Sequence, residues 1–123
     1  MLLAILVMFI LDVLWITLNK TKYNKLVYDV QHKKMNVNII SAIIAYILMI
    51  IGIIYITVPL AKTKKNKLIG ALKYGGLFGL CVYGIYNATN YAIFQDYNLI
   101  TGIIDTIWGM TLFSIITYIA IKF

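Results

Sequence analysis

Residues 37–60 read VNIISAIIAYILMIIGIIYITVPL, without one charged side chain. A helix rises about 1.5 Å per residue, so roughly 20 apolar residues cross the hydrocarbon core of a bilayer. The β-branched run from Ile50 to Tyr55 would favour a strand in water. In lipid a lone strand leaves its peptide groups unpaired, whereas a helix satisfies them within the segment. Val37 to Leu60 is therefore a transmembrane helix, and Pro59 is expected to stop it.

The same pattern recurs on either side. Leu2 to Leu18 is apolar apart from Asp12, Leu68 to Phe94 is apolar and rich in glycine, and Leu99 to Ile121 closes the chain. Between the first two segments, Tyr23, Leu26, Val27 and Val30 follow i, i+3, i+4, i+7 spacing among lysines. That stripe describes a short helix lying in the membrane interface. The fold expected is all-α: one domain over residues 1–123, a four-helix transmembrane bundle with this amphipathic helix between helices one and two. Met1 to Ile10 has no basic flank and no small-residue cleavage site after it, so it is read as a retained helix.

Composition agrees. The chain is 63% hydrophobic, against about 45–50% in soluble domains, which only a lipid-facing surface accommodates. All eleven basic residues are lysines, mostly in two clusters between apolar runs, and the formal charge is +7. Such clusters fit anionic headgroups, so membrane lipids are the expected partners; no basic stripe interleaved with aromatics points to nucleic acid. The lysine counts on the two sides are nearly equal, and the concentrated cluster Lys62, Lys64, Lys65 and Lys67 tips the expectation toward cytoplasmic termini.

The residues that carry chemistry are polar ones inside the spans. An acid at the bilayer centre costs about 2.5–3.5 kcal/mol on insertion scales, so it marks a functional site by default. Asp12 and Asp105 are such acids, each followed three residues later by a tryptophan, Trp15 and Trp108, on the same helix face. In an antiparallel series of four spans, Asp12, Asn87 and Asp105 fall about 10 Å below one surface, with Tyr46 in the same slab. The third span adds Tyr83, Asn87 and Asn90 at i, i+4, i+7, with Tyr86 four residues before Asn90. The expected ligand- or proton-binding set is thus Asp12, Trp15, Tyr46, Tyr83, Tyr86, Asn87, Asn90, Asp105 and Trp108. Gly75 and Gly79 form a GxxxG pair expected to pack helix three inside its own bundle.

Leu11-Asp12-Val13-Leu14-Trp15, Val58-Pro59-Leu60, Gly76-Leu77-Phe78-Gly79-Leu80, Tyr83 to Ala92 and Asp105-Thr106-Ile107-Trp108-Gly109 together resemble domain-of-unknown-function family 2177. These are small membrane proteins with four expected helices. The resemblance covers nearly the whole chain in order and implies the architecture and the choice of site, but no chemistry. The family pattern more often has an Asp at the place of Asn87, so here a neutral amide stands in for a third carboxylate.

No catalytic constellation is present: no HExxH, no phosphate-cradling loop, and no histidine within reach of the intramembrane hydroxyls. His32 is the lone histidine and Cys81 the lone cysteine, so neither a metal nor another cofactor is expected, and an enzyme is the less favoured class. Three functions stay open. One is transport of a small solute, cation or proton, for which a homodimer is expected because four short helices enclose little space. The second is binding or modification of a lipid through its headgroup. The third is a structural accessory role in which the polar layer fixes helix register.

Overall fold

The computed structural model describes residues 1–123. It holds five helices and no strand: α1 (Leu2–Leu18), α2 (Lys20–Gln31), α3 (Ile39–Lys62), α4 (Lys67–Ile93) and α5 (Leu99–Lys122). Helices α3, α4 and α5 are each long and apolar enough to cross a membrane. Helix α1 has 17 residues and bends by 71° into α2. This is the all-α membrane bundle that the hydropathy pattern implies, with three candidate spans, or four if α1 and α2 are counted as one bent span. On α2, Leu26 is buried, Tyr23, Val27 and Val30 are half-buried, and Lys20, Lys22 and Lys25 are exposed.

Helix starts are set by asparagines. Asn38, Asn66 and Asn98 each sit before a first turn, and their Oδ1 atoms accept from the backbone N–H of Ser41 (3.1 Å), Ile69 (3.1 Å) and Thr101 (3.0 Å). An N-cap oxygen satisfies a donor that the helix leaves orphaned. Hence α3 begins at Ile39 and not at Val37, although apolarity alone extends further back.

Pro59 does not stop α3, contrary to the reading above: the helix continues to Lys62. A five-residue π-helical turn, Ile53–Thr57, precedes the proline, and the N–H of Val58 reaches back to the carbonyl of Ile53. The wider turn absorbs the register change at a residue that has no N–H and whose ring crowds the preceding turn. A second π-helical turn, Ala71–Gly75, lies in α4 beside the first. Both pack on α5, where Thr117 Oγ1 donates to Thr57 Oγ1 at 2.9 Å, both residues being fully buried. Thr57 retains a bond to the Ile53 carbonyl without it. Thr117→Val is therefore expected to cost only about 0.6 kcal/mol, the mean for side-chain bonds between membrane helices, in an SDS unfolding titration.

Helix α5 is the axis. Leu112, Phe113 and Ile116 are fully buried against Ala4 and Met8 of α1 and Ile53 and Val58 of α3. Its closest neighbour is α4, because glycines remove the side chains between them. A Cβ on Gly75 or Gly79 would strike the α5 backbone, at Phe113 and Gly109 respectively. The GxxxG pair thus packs within its own bundle. The outward face of α3 exposes Ile40, Ile43 and Ile47, as a helix does when lipid covers it.

Candidate functional site

Asp12, Asn87 and Asp105 stand six residues from Leu18, Ile93 and Leu99, the helix ends that share one side of the bundle. Their depth is therefore common, about 9 Å along each axis. The two Asp-x-x-Trp segments hold each other. Asp12 accepts from Trp108 Nε1 at 3.2 Å and from the hydroxyl of Tyr46. Asp105 accepts from the Tyr23 hydroxyl at 2.5 Å, and that hydroxyl accepts from Trp15 Nε1 at 2.7 Å. Each tryptophan thus serves the acid of the other helix, directly or through one phenol. Between them the two indoles stack, with ring centroids 4.6 Å apart and planes 1° from parallel. Offset-stacked aromatic pairs contribute about 0.5–1.5 kcal/mol beyond their burial. Phe9 stacks on Tyr46 at 4.5 Å and fixes the ring that serves Asp12.

Asn87 joins the third span to this pair. Its Nδ2 donates to Asp105 Oδ2 at 2.8 Å, to the Tyr83 carbonyl at 2.9 Å and to Thr106 Oγ1 at 3.3 Å. Its Oδ1 accepts from the Tyr97 hydroxyl at 2.6 Å. Burial pushes that hydroxyl above its ordinary range, so it stays a neutral donor. No buried side-chain nitrogen or oxygen lacks a partner.

Asp12 and Asp105 each accept two side-chain bonds, and all four donors are neutral. The chain's one ion pair, Lys25 with Asp29 at 2.5 Å, lies elsewhere on α2. No group of three metal-ligating side chains exists.

Beside the network lies a groove of about 730 Å³. Helices α3 and α4 touch where Phe78 seats against Gly52, and the first half of α3 then stands off from α4. Asp12, Asn87 and Asp105 supply its polar end, and fifteen of its eighteen lining residues are hydrophobic. Rim residues Leu48, Val82 and Tyr86 are exposed, so the groove opens sideways.

A family model described as "Predicted membrane protein (DUF2177)" matches residues 1–122. The chain belongs to that family. No curated protein and no solved structure matches it.

Of the nine residues singled out from sequence, Asp12, Trp15, Tyr46, Asn87, Asp105 and Trp108 are brought together by side-chain bonds. Tyr83 contributes its carbonyl, and its ring packs on Gly109 and lines the groove. Tyr86 is exposed on the rim. Asn90 stands half-buried outside the groove lining, with its side chain within reach of the Tyr97 hydroxyl. Three members were not foreseen: Tyr23, Tyr97 and Thr106. Tyr23 sits on the apolar stripe of α2, and Tyr97 is the one aromatic in a short polar turn. A tyrosine in either place is a signal, since burying its ring obliges its hydroxyl to find a partner.

Proposed function

We propose that this membrane protein binds a small amphiphile with a positively charged head, the recognition step of a small-solute carrier. What supports the reading most is the pair of carboxylates at the end of an apolar groove, served by neutral donors alone. A cation placed there supplies the missing countercharge where the low dielectric makes the attraction strong. The apolar walls take the rest of the molecule, and about 300–1,000 Å³ is the usual size of such sites. The groove lies within one chain, so binding needs no second copy; a path across the bilayer would still call for the homodimer.

Both tryptophans of the chain lie in this network, so tryptophan fluorescence, excited apart from that of the tyrosines, reports on it alone. Titrating tetraphenylphosphonium into the vesicle-reconstituted protein should change that fluorescence saturably. Asp12→Asn with Asp105→Asn should weaken binding at least tenfold, equivalent to about 1.4 kcal/mol. Equal affinity in the double variant would reject the cation reading. The sideways opening favours a second reading, a neutral lipid held through its headgroup. A neutral analogue that binds as well as the phosphonium, and is indifferent to both substitutions, would select it.

A further inference from the structure

A second hollow lies on the other side of Tyr97. It is a surface pocket of about 410 Å³ between the end of α2 and the α4–α5 turn, walled by Tyr28, Asp29, His32, Gln95, Asp96 and Tyr97. Tyr97 is the one residue that lines both this pocket and the groove. The pocket wall carries Asp96 and Asp29, the latter paired with Lys25, and it lies at the polar edge of the bundle, beyond the ends of the spans.

Tyr97 is placed unlike the rest of its turn. Gln95, Asp96 and Asn98 are exposed, whereas Tyr97 is only 7% exposed. Its ring lies over Gly102, where even a Cβ would come within 3.3 Å of it. Its hydroxyl ends on Asn87, whose amide holds Asp105. The ring therefore stands between the outer pocket and the acids, of which Asp12 is buried and Asp105 half-buried. The bond its hydroxyl donates to Asn87 is worth about 0.5–1.5 kcal/mol net, and the Asn90 side chain also reaches that hydroxyl. A phenol ring moved outward meets water and headgroups, an environment that tyrosine tolerates well.

We infer that the surface pocket is the aqueous entrance to the acid site and that the Tyr97 ring is its gate. The inference rests on the reading of that site as a cation site. With the ring inward, the acids are reached through the groove, whose open rim runs from Val82 and Tyr86 to Met35 and Val37. With the ring outward, pocket and groove join, and a water-borne cation reaches Asp105 past Asp96 and Asn87. The site then has two approaches, one from lipid for the apolar body and one from water for charge.

The test is acrylamide quenching of Trp15 and Trp108 in the full chain, reconstituted in phosphatidylcholine nanodiscs with no cation added. Tyr97→Ala should raise the quenching constant severalfold, and Tyr97→Phe, which keeps the ring, should stay close to the unaltered protein. Should the alanine variant fail to insert, Tyr97→Leu must show the rise, because it keeps apolar packing but not the reach of the ring. In a Tyr97→Ala, Asp96→Cys, Cys81→Ser protein, coupling a bulky maleimide at position 96 should restore the shelter. Quenching by brominated lipid should be the same throughout. Unchanged acrylamide quenching in both shortened variants, or quenching that the maleimide does not relieve, overturns the gate. Because no cation is present, this failure is separate from a flat phosphonium titration, which would reject the ligand class and leave the measured water access as it stands.

Discussion

Gly79→Ala is expected to unseat α4 from α5, although it adds a single methyl group. The new Cβ would be driven into the carbonyl and backbone of Gly109 and the Cα of Met110. These atoms belong to a helix backbone and have no rotamer with which to yield. Ordinary overpacking costs about 1–3 kcal/mol, and a clash against backbone belongs at or above the top of that range. The contrast is Gly84→Ala on the same helix, whose Cβ would meet only Thr106 Cγ2 at 3.6 Å and Leu80 Cδ1 at 3.7 Å. That is ordinary contact, so Gly84→Ala should be neutral or slightly stabilising. The loss in Gly79→Ala should be tertiary. Each apolar helix keeps its own backbone bonds in lipid, so far-UV circular dichroism should change little. The near-UV signal of the stacked Trp15 and Trp108 should collapse, and the SDS unfolding midpoint should fall well below that of Gly84→Ala. Equal midpoints for the two variants would mean that the α4–α5 approach is looser than its glycines indicate.

The bundle was legible because one physical requirement dominates its sequence: long, mostly apolar segments have few other places to go. Depth was legible for the same reason. Rise per residue is fixed, so Asp12, Asn87 and Asp105 could be levelled by counting from the helix ends. Azimuth and partner choice are a different matter. Nothing in Asp12-Val13-Leu14-Trp15 says that its indole will serve Asp105 through Tyr23, or that its carboxylate will be served by Trp108. That exchange depends on how α1 and α5 rotate against each other, which the glycine-lined approach of α4 and the burial of Phe113 and Met8 decide. The π-helical turn before Pro59 was hidden for a related reason: proline reads locally as a stop, and only the continuing apolar face on α5 keeps the helix going. Tyr97 escaped because turns are taken as solvated, yet its side chain points inward over Gly102. The groove was beyond the sequence, since it arises where the first half of α3 stands off.

Asn87→Leu should produce the other large effect, because one amide meets four partners. Leucine keeps the same heavy-atom branching, though it is bulkier, and withdraws both Nδ2 and Oδ1. Asp105 then keeps only Tyr23 as a side-chain donor, and the Tyr97 hydroxyl loses its acceptor. A buried polar group left unpaired costs about 1–3 kcal/mol, more if charged, so two such groups put the loss at several times that of Thr117→Val. An ionised aspartate at position 87 would offer Asp105 no donor while still accepting from Tyr97; only a protonated one could donate. The role of Asn87 as the partner of Asp105 can be isolated by a double-mutant cycle. If Asn87 acts chiefly by satisfying that carboxylate, then Asp105→Leu removes most of the penalty of Asn87→Leu, and the two changes together cost less than their sum by at least about 1 kcal/mol. Additive costs would show that the amide acts mainly through Tyr97, Tyr83 and Thr106. The SDS midpoint measures stability, and tryptophan fluorescence shows whether the Trp15–Trp108 stack survives in each corner of the cycle.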